Sequence, residues 1–113
     1  MYQFYRKLLA TLVILSVSSA TAFAQVDAEQ VSAWMRKNDC FKCHAVDKVK
    51  VAPAYRTIAQ KYAGDSEASS KIIQHLRSGR TVTLTSGLDV AHKIVGDENP
   101  ALTDGLVAWI LAQ

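Results

Sequence analysis

The stretch DCFKCH, residues 39–44, holds both cysteines of the 113-residue chain, Cys40 and Cys43, and one of its three histidines, His44. A disulfide across Cys-x-x-Cys would close a very short loop, so it would constrain the unfolded chain little and would be easily reduced. Cysteine pairs at this spacing are more often redox-active or bound to a metal or prosthetic group. The stretch therefore predicts a chemical site.

Three kinds of site use such a pair. A thioredoxin-like thiol oxidoreductase needs a preceding strand, whereas the residues before Cys40 carry a helical pattern. A zinc site needs four ligands, and the chain offers the two cysteines and only distant further histidines. Cys-x-x-Cys-His is the attachment pattern of c-type haem, in which two thiols bond the vinyl groups along one porphyrin edge. This interpretation makes Cys40 and Cys43 the anchors of one haem and His44 its proximal iron ligand.

Residues 1–24 have the pattern of a secretory signal: two basic residues, an apolar run over 8–17 and the sequence Ala-Phe-Ala ending at Ala24. The apolar run is shorter than the roughly 20 residues of a membrane span, although an uncleaved anchor is the alternative. Cleavage after Ala24 leaves one domain, 25–113, and lowers the formal net charge from +3 by two. We expect a periplasmic domain without membrane contact, and no nucleic-acid partner, since no dense basic stripe is present.

Helical periodicity and capping residues predict four helices. They are 28–38 with Asp27 as N-cap, 53–63, a third that Asp65 or Ser66 caps and Gly79 closes, and a last from Pro100, after Asn99, to about Ala112. The inward side chains of the first three are predicted to be Val31, Trp34, Met35, Tyr55, Ile58, Ala59, Tyr62, Ile72, Ile73 and Leu76.

The last predicted helix carries two stripes. One is apolar and faces the core: Leu102, Leu106, Trp109 and Ile110. The other is a small-residue edge for close approach of the first helix: Ala101, Gly105, Ala108 and Ala112. Before this helix runs a long segment without helical period. There the alternation over 81–85 predicts a locally extended stretch, a single strand without an obvious mate.

The sequence resembles the small bacterial class I cytochromes c with one haem. The resemblance lies in a helix leading into CFKCH, in HAVDKVKVAPAY at 44–55 and in LVAWILAQ at 106–113. It implies an all-α fold of four short helices around one covalently bound haem. It also implies an electron carrier rather than an enzyme, whose partners are periplasmic redox proteins or a dehydrogenase of which it is the haem subunit. In that family the proline after the motif, here Pro53, accepts the second N–H of the proximal histidine. Glycine usually precedes it, and this chain has Ala52.

The family's sixth iron ligand is a methionine in the loop before the last helix, and this chain has none there. Its methionines are Met1 and Met35, neither of which is so placed. Counting back from Trp109, His92 falls within about one residue of the family position. We predict His44 and His92 as axial ligands and a low potential. Lys93 or an open, water-bound iron are the alternatives, and an open site would instead indicate a haem-based sensor or ligand binder.

The resemblance also suggests residues around the haem edge. His75, on the third helix, matches a family position that hydrogen-bonds a haem propionate. A solvated side chain or an iron ligand are the alternatives for it. Further predicted propionate or haem contacts are Tyr55, Tyr62 and Arg80. Lysines that could line the rim and attract an acidic partner are Lys42, Lys48, Lys50 and Lys93.

Overall fold

The computed structural model describes residues 26–96 and 98–113, and within them it contains five helices and one two-stranded sheet. The helices are α1 (Ala28–Lys37), α2 (Cys40–Cys43), α3 (Tyr55–Lys61), α4 (Ala68–Ser78) and α5 (Pro100–Leu111), and the strands are β1 (Thr81–Thr83) and β2 (Asp89–Ala91). No helix of this described part is long and apolar enough to cross a bilayer. The predicted signal, 1–24, lies outside the described residues.

The predicted caps of the first and last helices are present. The Asp27 carboxylate accepts the N–H of Gln30 at 2.8 Å, and the Gln30 side chain accepts the N–H of Asp27, which completes a capping box. The Asn99 side chain accepts the N–H of Leu102 at 3.2 Å, and Pro100 follows as the first helical residue. The predicted starts of both helices are therefore confirmed.

The two middle helices begin later than predicted. α3 starts at Tyr55 because the residue before it, Ala54, is still extended. α4 has Glu67 as its N-cap, so the prediction of Asp65 or Ser66 was wrong. The Asp65 carboxylate instead accepts the N–H of Glu67 at 2.9 Å, which shapes the turn before the helix.

Helix α5 is central, because it contacts α1, α3 and α4. Its approach to α1 occurs at Gly105, where a Cβ atom would lie 3.2 Å from Cγ2 of Val31. The close approach of these helices is thus confirmed at Gly105. The other members of the predicted small-residue edge are exposed: Ala101, Ala108 and Ala112.

Most of the predicted side chains lie in the core, although Leu102 is outside its hydrophobic cluster. Three further apolar residues are buried without having been predicted: Ala54, Ala68 and Val95. Those that are buried as predicted include Val31, Met35, Tyr55, Ile72, Leu76, Leu106 and Ile110, with Trp34 and Trp109 packed against them. Helix α5 also buries Thr103 and Val107, which were not predicted. Thr103 was missed because a polar side chain does not register in an apolar stripe.

The extended stretch after α4 has a partner strand, so the prediction of an unpaired strand was wrong. β1 and β2 pair antiparallel with Val82 opposite Val90. The turn between them is closed by the N–H of Leu84, which donates to the Leu88 carbonyl at 2.8 Å, and by Gly87 with a φ of 84°. A short hairpin therefore stands between α4 and α5.

Candidate functional site

The two cysteines lie at the ends of α2, which follows α1 after only two residues. Asp39 makes the sharp connection with a φ of 64°, a left-handed conformation that aspartate adopts more readily than most residues. Both cysteines are half-buried and unbridged, and both line one cavity. Burial raises the pKa of the Cys40 thiol. This helical turn places two sulfur atoms on the same wall, as attachment along one edge of a macrocycle requires.

His44 leaves α2 in an extended conformation, and its ring is held from two sides. Its Nδ1 lies 2.7 Å from the Pro53 carbonyl oxygen, which can only accept, so Nδ1–H donates and Nε2 keeps its lone pair. The Tyr55 ring stacks on the imidazole with centroids 5.0 Å apart. Burial lowers the pKa of His44, with the Pro53 hydrogen bond opposing it. A neutral imidazole with a bare Nε2 is the form that binds metals.

The segment between His44 and α3 folds back onto the attachment turn. The N–H of Ala52 donates to the Cys43 carbonyl at 3.0 Å, and the N–H of Tyr55 donates to the Ala45 carbonyl at 3.0 Å. Ala52 does not adopt a left-handed φ, so the turn does not require the glycine that is usual in the family. The departure from the family pattern at this position is therefore accommodated.

The thiols and the imidazole face a cavity of about 560 Å³. All three histidines of the chain, His44, His75 and His92, line it. Most of its remaining walls are apolar, contributed among others by Ile58, Ile72, Leu76, Val82, Leu106 and Ile110. A concave apolar site with a few convergent polar groups is typical of cofactor binding. Two thiols on one wall, imidazoles and apolar sides together fit the chemistry of a covalently bound haem.

His92 directly follows β2 and opens the distal loop, residues 92–96 and 98–99. Its backbone N–H donates to the Arg80 carbonyl at 2.9 Å, which continues the hairpin ladder by one bond. Its Nδ1 lies 2.9 Å from the carbonyl oxygen of Lys93. The ring centroids of His92 and His44 are 6.5 Å apart, with the ring planes inclined by 55°. The structure thus brings the predicted axial pair together in one cavity.

His75 lies close to His92. Their ring centroids are 4.5 Å apart, with the ring planes inclined by 59°. Burial, then the neighbouring His92 and Arg80, lower the pKa of His75, which favours the neutral form of its ring. A neutral imidazole here is able to donate one hydrogen bond into the cavity.

Met35 is 0% exposed and lies in the core between helices, not on the cavity wall. Of the other predicted contacts, Tyr55 and Tyr62 line the cavity. Arg80 does not, and its Nε instead lies 3.3 Å from the Ser78 hydroxyl. The described part of the chain therefore offers no thioether to this cavity.

A family model described as Cytochrome c matches residues 27–111. The chain belongs to the cytochrome c family. Cytochrome c-551 of Pseudomonas aeruginosa is 28% identical to it over 86 residues, which are 76% of this chain and 79% of that protein. Cytochrome c2 of Rhodocyclus tenuis is 32% identical over 89 residues, which are 72% of this chain and 89% of that protein.

Solved structures agree. The class 1 cytochrome MtoD from Sideroxydans lithotrophicus ES-1 matches with a TM-score of 0.73 at 40% identity, over 77% of this chain and 96% of that one. Nitrosomonas europaea cytochrome c552 matches with a TM-score of 0.55 at 26% identity, over 71% of this chain and 95% of that one. The prediction of a small class I monohaem cytochrome c is confirmed. Its function is electron transfer, on a haem c that is attached through Cys40 and Cys43.

The hairpin is the part of this cytochrome's site that sequence reasoning missed. Val82, Leu84 and Val90 point from it into the cavity and form one wall. The signal was present, since two short alternating runs flank the turn-forming pair Ser86-Gly87. The hairpin also determines where His92 lies, because His92 directly follows its second strand.

The predicted rim lysines differ in their surroundings. Lys42 and Lys93 line the cavity. The Lys50 ammonium donates to the Phe41 carbonyl at 2.8 Å, which ties it to the attachment turn, and Lys48 is exposed. Three of the four thus lie at or beside the place where haem is attached.

Proposed function

We propose that this cytochrome is an exported one-electron carrier whose iron is bound between His44 and His92. The observation that carries the proposal is the 6.5 Å separation of their ring centroids. Metal–imidazole bonds are about 2 Å long, so two imidazoles at this spacing could both reach one metal ion in the cavity.

The hydrogen bonds of the two rings support the same assignment. Nδ1 of His44 faces the Pro53 carbonyl, and Nδ1 of His92 faces the Lys93 carbonyl. A carbonyl oxygen accepts only, so each Nδ1 carries the proton and each Nε2 is a lone-pair donor. Orientation of a ligating histidine by a carbonyl is the common outer-shell arrangement at metal sites.

Two imidazoles favour a low reduction potential. The soft thioether of methionine stabilises ferrous iron, and its replacement by imidazole shifts the balance toward ferric iron. The haem supplies reversible one-electron chemistry when it is bound. His44 and His92 would together hold the iron and would leave no ligand position for a substrate, as suits a carrier.

We assign the remaining residues to orientation and edge contacts. Pro53 orients His44, and Tyr55 packs against the proximal ring. His75, neutral and half-buried in the cavity wall, donates a hydrogen bond to a haem propionate.

The proposal includes export. Residues 1–24 act as a signal that is cleaved after Ala24, and the domain 25–113 works in the periplasm. Its partners there are redox proteins, or a dehydrogenase of which it is the haem subunit. Lys42, Lys50 and Lys93, near the attachment turn, attract an acidic partner.

The test is the optical spectrum of the purified holoprotein and of His92→Ala, with His75→Ala as the matched control. We expect wild-type ferric protein to be low-spin, without the sulfur-to-iron band of methionine ligation, and the ferrous form to bind carbon monoxide slowly. His92→Ala is expected to become high-spin or water-bound and to bind carbon monoxide rapidly. His75→Ala is expected to keep six-coordinate iron.

Two outcomes contradict the proposal. Rapid carbon monoxide binding by the wild type would indicate a sensor or ligand binder with an open distal site. Low-spin, inert iron in His92→Ala would assign the sixth position to Lys93 or to His75, whose ring is already 4.5 Å from that of His92.

A further inference from the structure

We propose that Thr103 is a positioning residue for the distal ligand, and that its buried hydroxyl fastens the loop that carries His92 to helix α5. The inference rests on the proposed function, since it takes His92 as an iron ligand. Thr103 does not line the cavity, so any effect on the iron has to pass through the distal loop.

The hydroxyl of Thr103 is a buried hydrogen-bond donor, and its best acceptor is the Gly96 carbonyl. The residue is 1% exposed, and within the described part of the chain it is the one buried polar side chain. Its oxygen lies 2.9 Å from the Gly96 carbonyl oxygen and 3.1 Å from that of Asn99. The Asn99 carbonyl already accepts the backbone N–H of Thr103 at 3.0 Å. The hydroxyl therefore donates its hydrogen bond to the Gly96 carbonyl.

The Gly96 carbonyl depends on this donor. The guanidinium of Arg77 also approaches it, but at 3.5 Å, the outer limit of a hydrogen bond. Among the described residues, loss of the Thr103 hydroxyl would leave the carbonyl of buried Gly96 with this long contact alone. An under-satisfied buried carbonyl favours any movement that exposes it to water.

The loop and the helix fit closely at this point. Gly96 is buried and has a φ of 114°, a conformation that other residues rarely adopt. A Cβ atom on it would lie 3.2 Å from Cγ2 of Thr103 and 3.4 Å from its hydroxyl oxygen. Both the glycine and the threonine are thus needed for this contact.

The contact lies four residues after His92 and is one of three anchors of the distal loop. The other two are backbone hydrogen bonds, from His92 to the Arg80 carbonyl and from Val95 to the Leu76 carbonyl, each 2.9 Å long. Any sequence can make those bonds, whereas the third depends on a particular side chain. Withdrawal of His92 from iron requires the loop to move, and Thr103 opposes this movement.

The experiment measures how fast His92 releases the iron. At saturating cyanide, uptake by the ferric holoprotein is limited by dissociation of the distal ligand. We expect Thr103→Val, which has the same shape without the hydroxyl, to raise this limiting rate about tenfold, the effect of losing one buried hydrogen bond. Thr103→Ser keeps the hydroxyl and is expected to stay within about twofold of the wild type.

Val107→Ala is the matched control, because Val107 is also buried on α5 and does not line the cavity. We expect it to lower the guanidinium midpoint of unfolding without changing the limiting rate. Hydrogen exchange adds a readout that does not involve the iron: the Val95 amide is expected to exchange faster in Thr103→Val than in Val107→Ala.

Equal limiting rates in Thr103→Val and the wild type, or equal acceleration by Val107→Ala, would overturn the inference. Should Thr103→Val not fold, Gly96→Ala tests the same contact, since its Cβ pushes loop and helix apart, and a wild-type rate there would also overturn it. Failure of the proposed function has a different signature. It appears in the spectra of the wild type and of His92→Ala, independently of position 103.

Discussion

The proximal and distal sides of the haem cavity are built differently. On the proximal side, residues 39–55 form a helical turn and a return segment, with backbone hydrogen bonds of 3.0 Å from His44 to Cys40 and from Ala52 to Cys43. On the distal side, His92 opens a loop without regular structure, held at three points. Two thioether bonds further fix the proximal side. The distal side has no covalent link.

The difference indicates where the chemistry of this cytochrome can change. A ligand on a covalently anchored turn stays close to the iron even when its bond breaks, because the chain cannot carry it away. A ligand on an anchored loop stays only while the anchors hold. With His92 as the proposed ligand, the proximal side would keep the haem, and the distal side would determine potential and reactivity.

The largest effect is expected from removing the proximal anchors. The double variant Cys40→Ser with Cys43→Ser should lose covalent haem and fail to fold, because a domain of this size has a small core and the cavity would stay open. A denaturing gel stained for haem and the circular dichroism spectrum measure the two losses. The single variants serve as controls, with one thioether retained and weakened haem retention.

A double variant that folds without haem would show that the apolar walls close by themselves. In that case the proximal side would not be the part on which the fold depends, and the contrast between the two sides would fail.

A distal change should alter the potential and leave the fold intact. His92→Met replaces the distal imidazole with a softer thioether, so we expect the reduction potential to rise by roughly 0.1 V or more. Potentiometry measures the shift, and the sulfur-to-iron band shows whether the thioether has bound. His92→Gln, with a side chain of similar length and no sulfur, is the control and should lack that band.

An unchanged potential with the sulfur band present would contradict the view that the distal ligand sets the potential. An absent band would show that the distal loop cannot accept the longer side chain. The loop and its anchors would then be what prevents the thioether from binding the iron.

Proximal packing should affect stability and leave distal exchange unchanged. Tyr55 is 4% exposed, stacks on His44 and meets Trp109 edge-on at 5.2 Å. Tyr55→Leu should lower the free energy of unfolding by about 1–3 kcal/mol through lost aromatic contacts. Guanidinium unfolding measures this loss. Cyanide uptake at saturation should stay within about twofold of the wild type, the reverse of the pattern expected for Thr103→Val.

Features of this structure that depend on a few neighbouring residues were predictable from the sequence, and others were not. The attachment motif and the caps Asp27 and Asn99 were predictable, because each acts over a few residues. The axial role of His92 was suggested by spacing relative to a known family. The pairing of β1 with β2 was not predicted, although its turn signal was present, because the alternation of β2 is only three residues long.

Two features of the site lay beyond pattern reasoning. The closeness of His75 to His92 joins helix α4 to the residue after β2, and the pattern of neither segment alone reveals it. Thr103 reads as an ordinary surface residue of a helix, and only the loop folded over it makes it buried. Both contacts join different structural elements, and the pattern within a single segment does not reveal them.

The smallest effect is expected from a charge pair that belongs to neither side. The Lys71 ammonium lies 2.7 Å from the Asp65 carboxylate at the start of α4, and this contact, with the N–H of Glu67, lowers the pKa of Asp65. A lowered carboxyl pKa stabilises the fold at pH values above the ordinary carboxyl range, and the contribution disappears as the pH falls through the lowered pKa. The same contact raises the pKa of Lys71, so its contribution persists below the ordinary lysine range and disappears at higher pH.

Asp65→Asn tests this point, because the amide keeps an oxygen for the Glu67 N–H and removes the carboxylate charge that pairs with Lys71. Thermal unfolding should show a slightly less stable variant near neutral pH, by the small amount typical of solvent-screened pairs, and no difference in acid below the lowered pKa. The limiting rate of cyanide uptake should be unchanged at every pH. A difference in melting temperature that persists in acid would assign the effect to lost hydrogen bonding instead of charge. A changed cyanide rate would show that a change at the start of α4 affects the distal loop, whose Val95 N–H donates to the Leu76 carbonyl. Helix α4 would then count as part of the distal side.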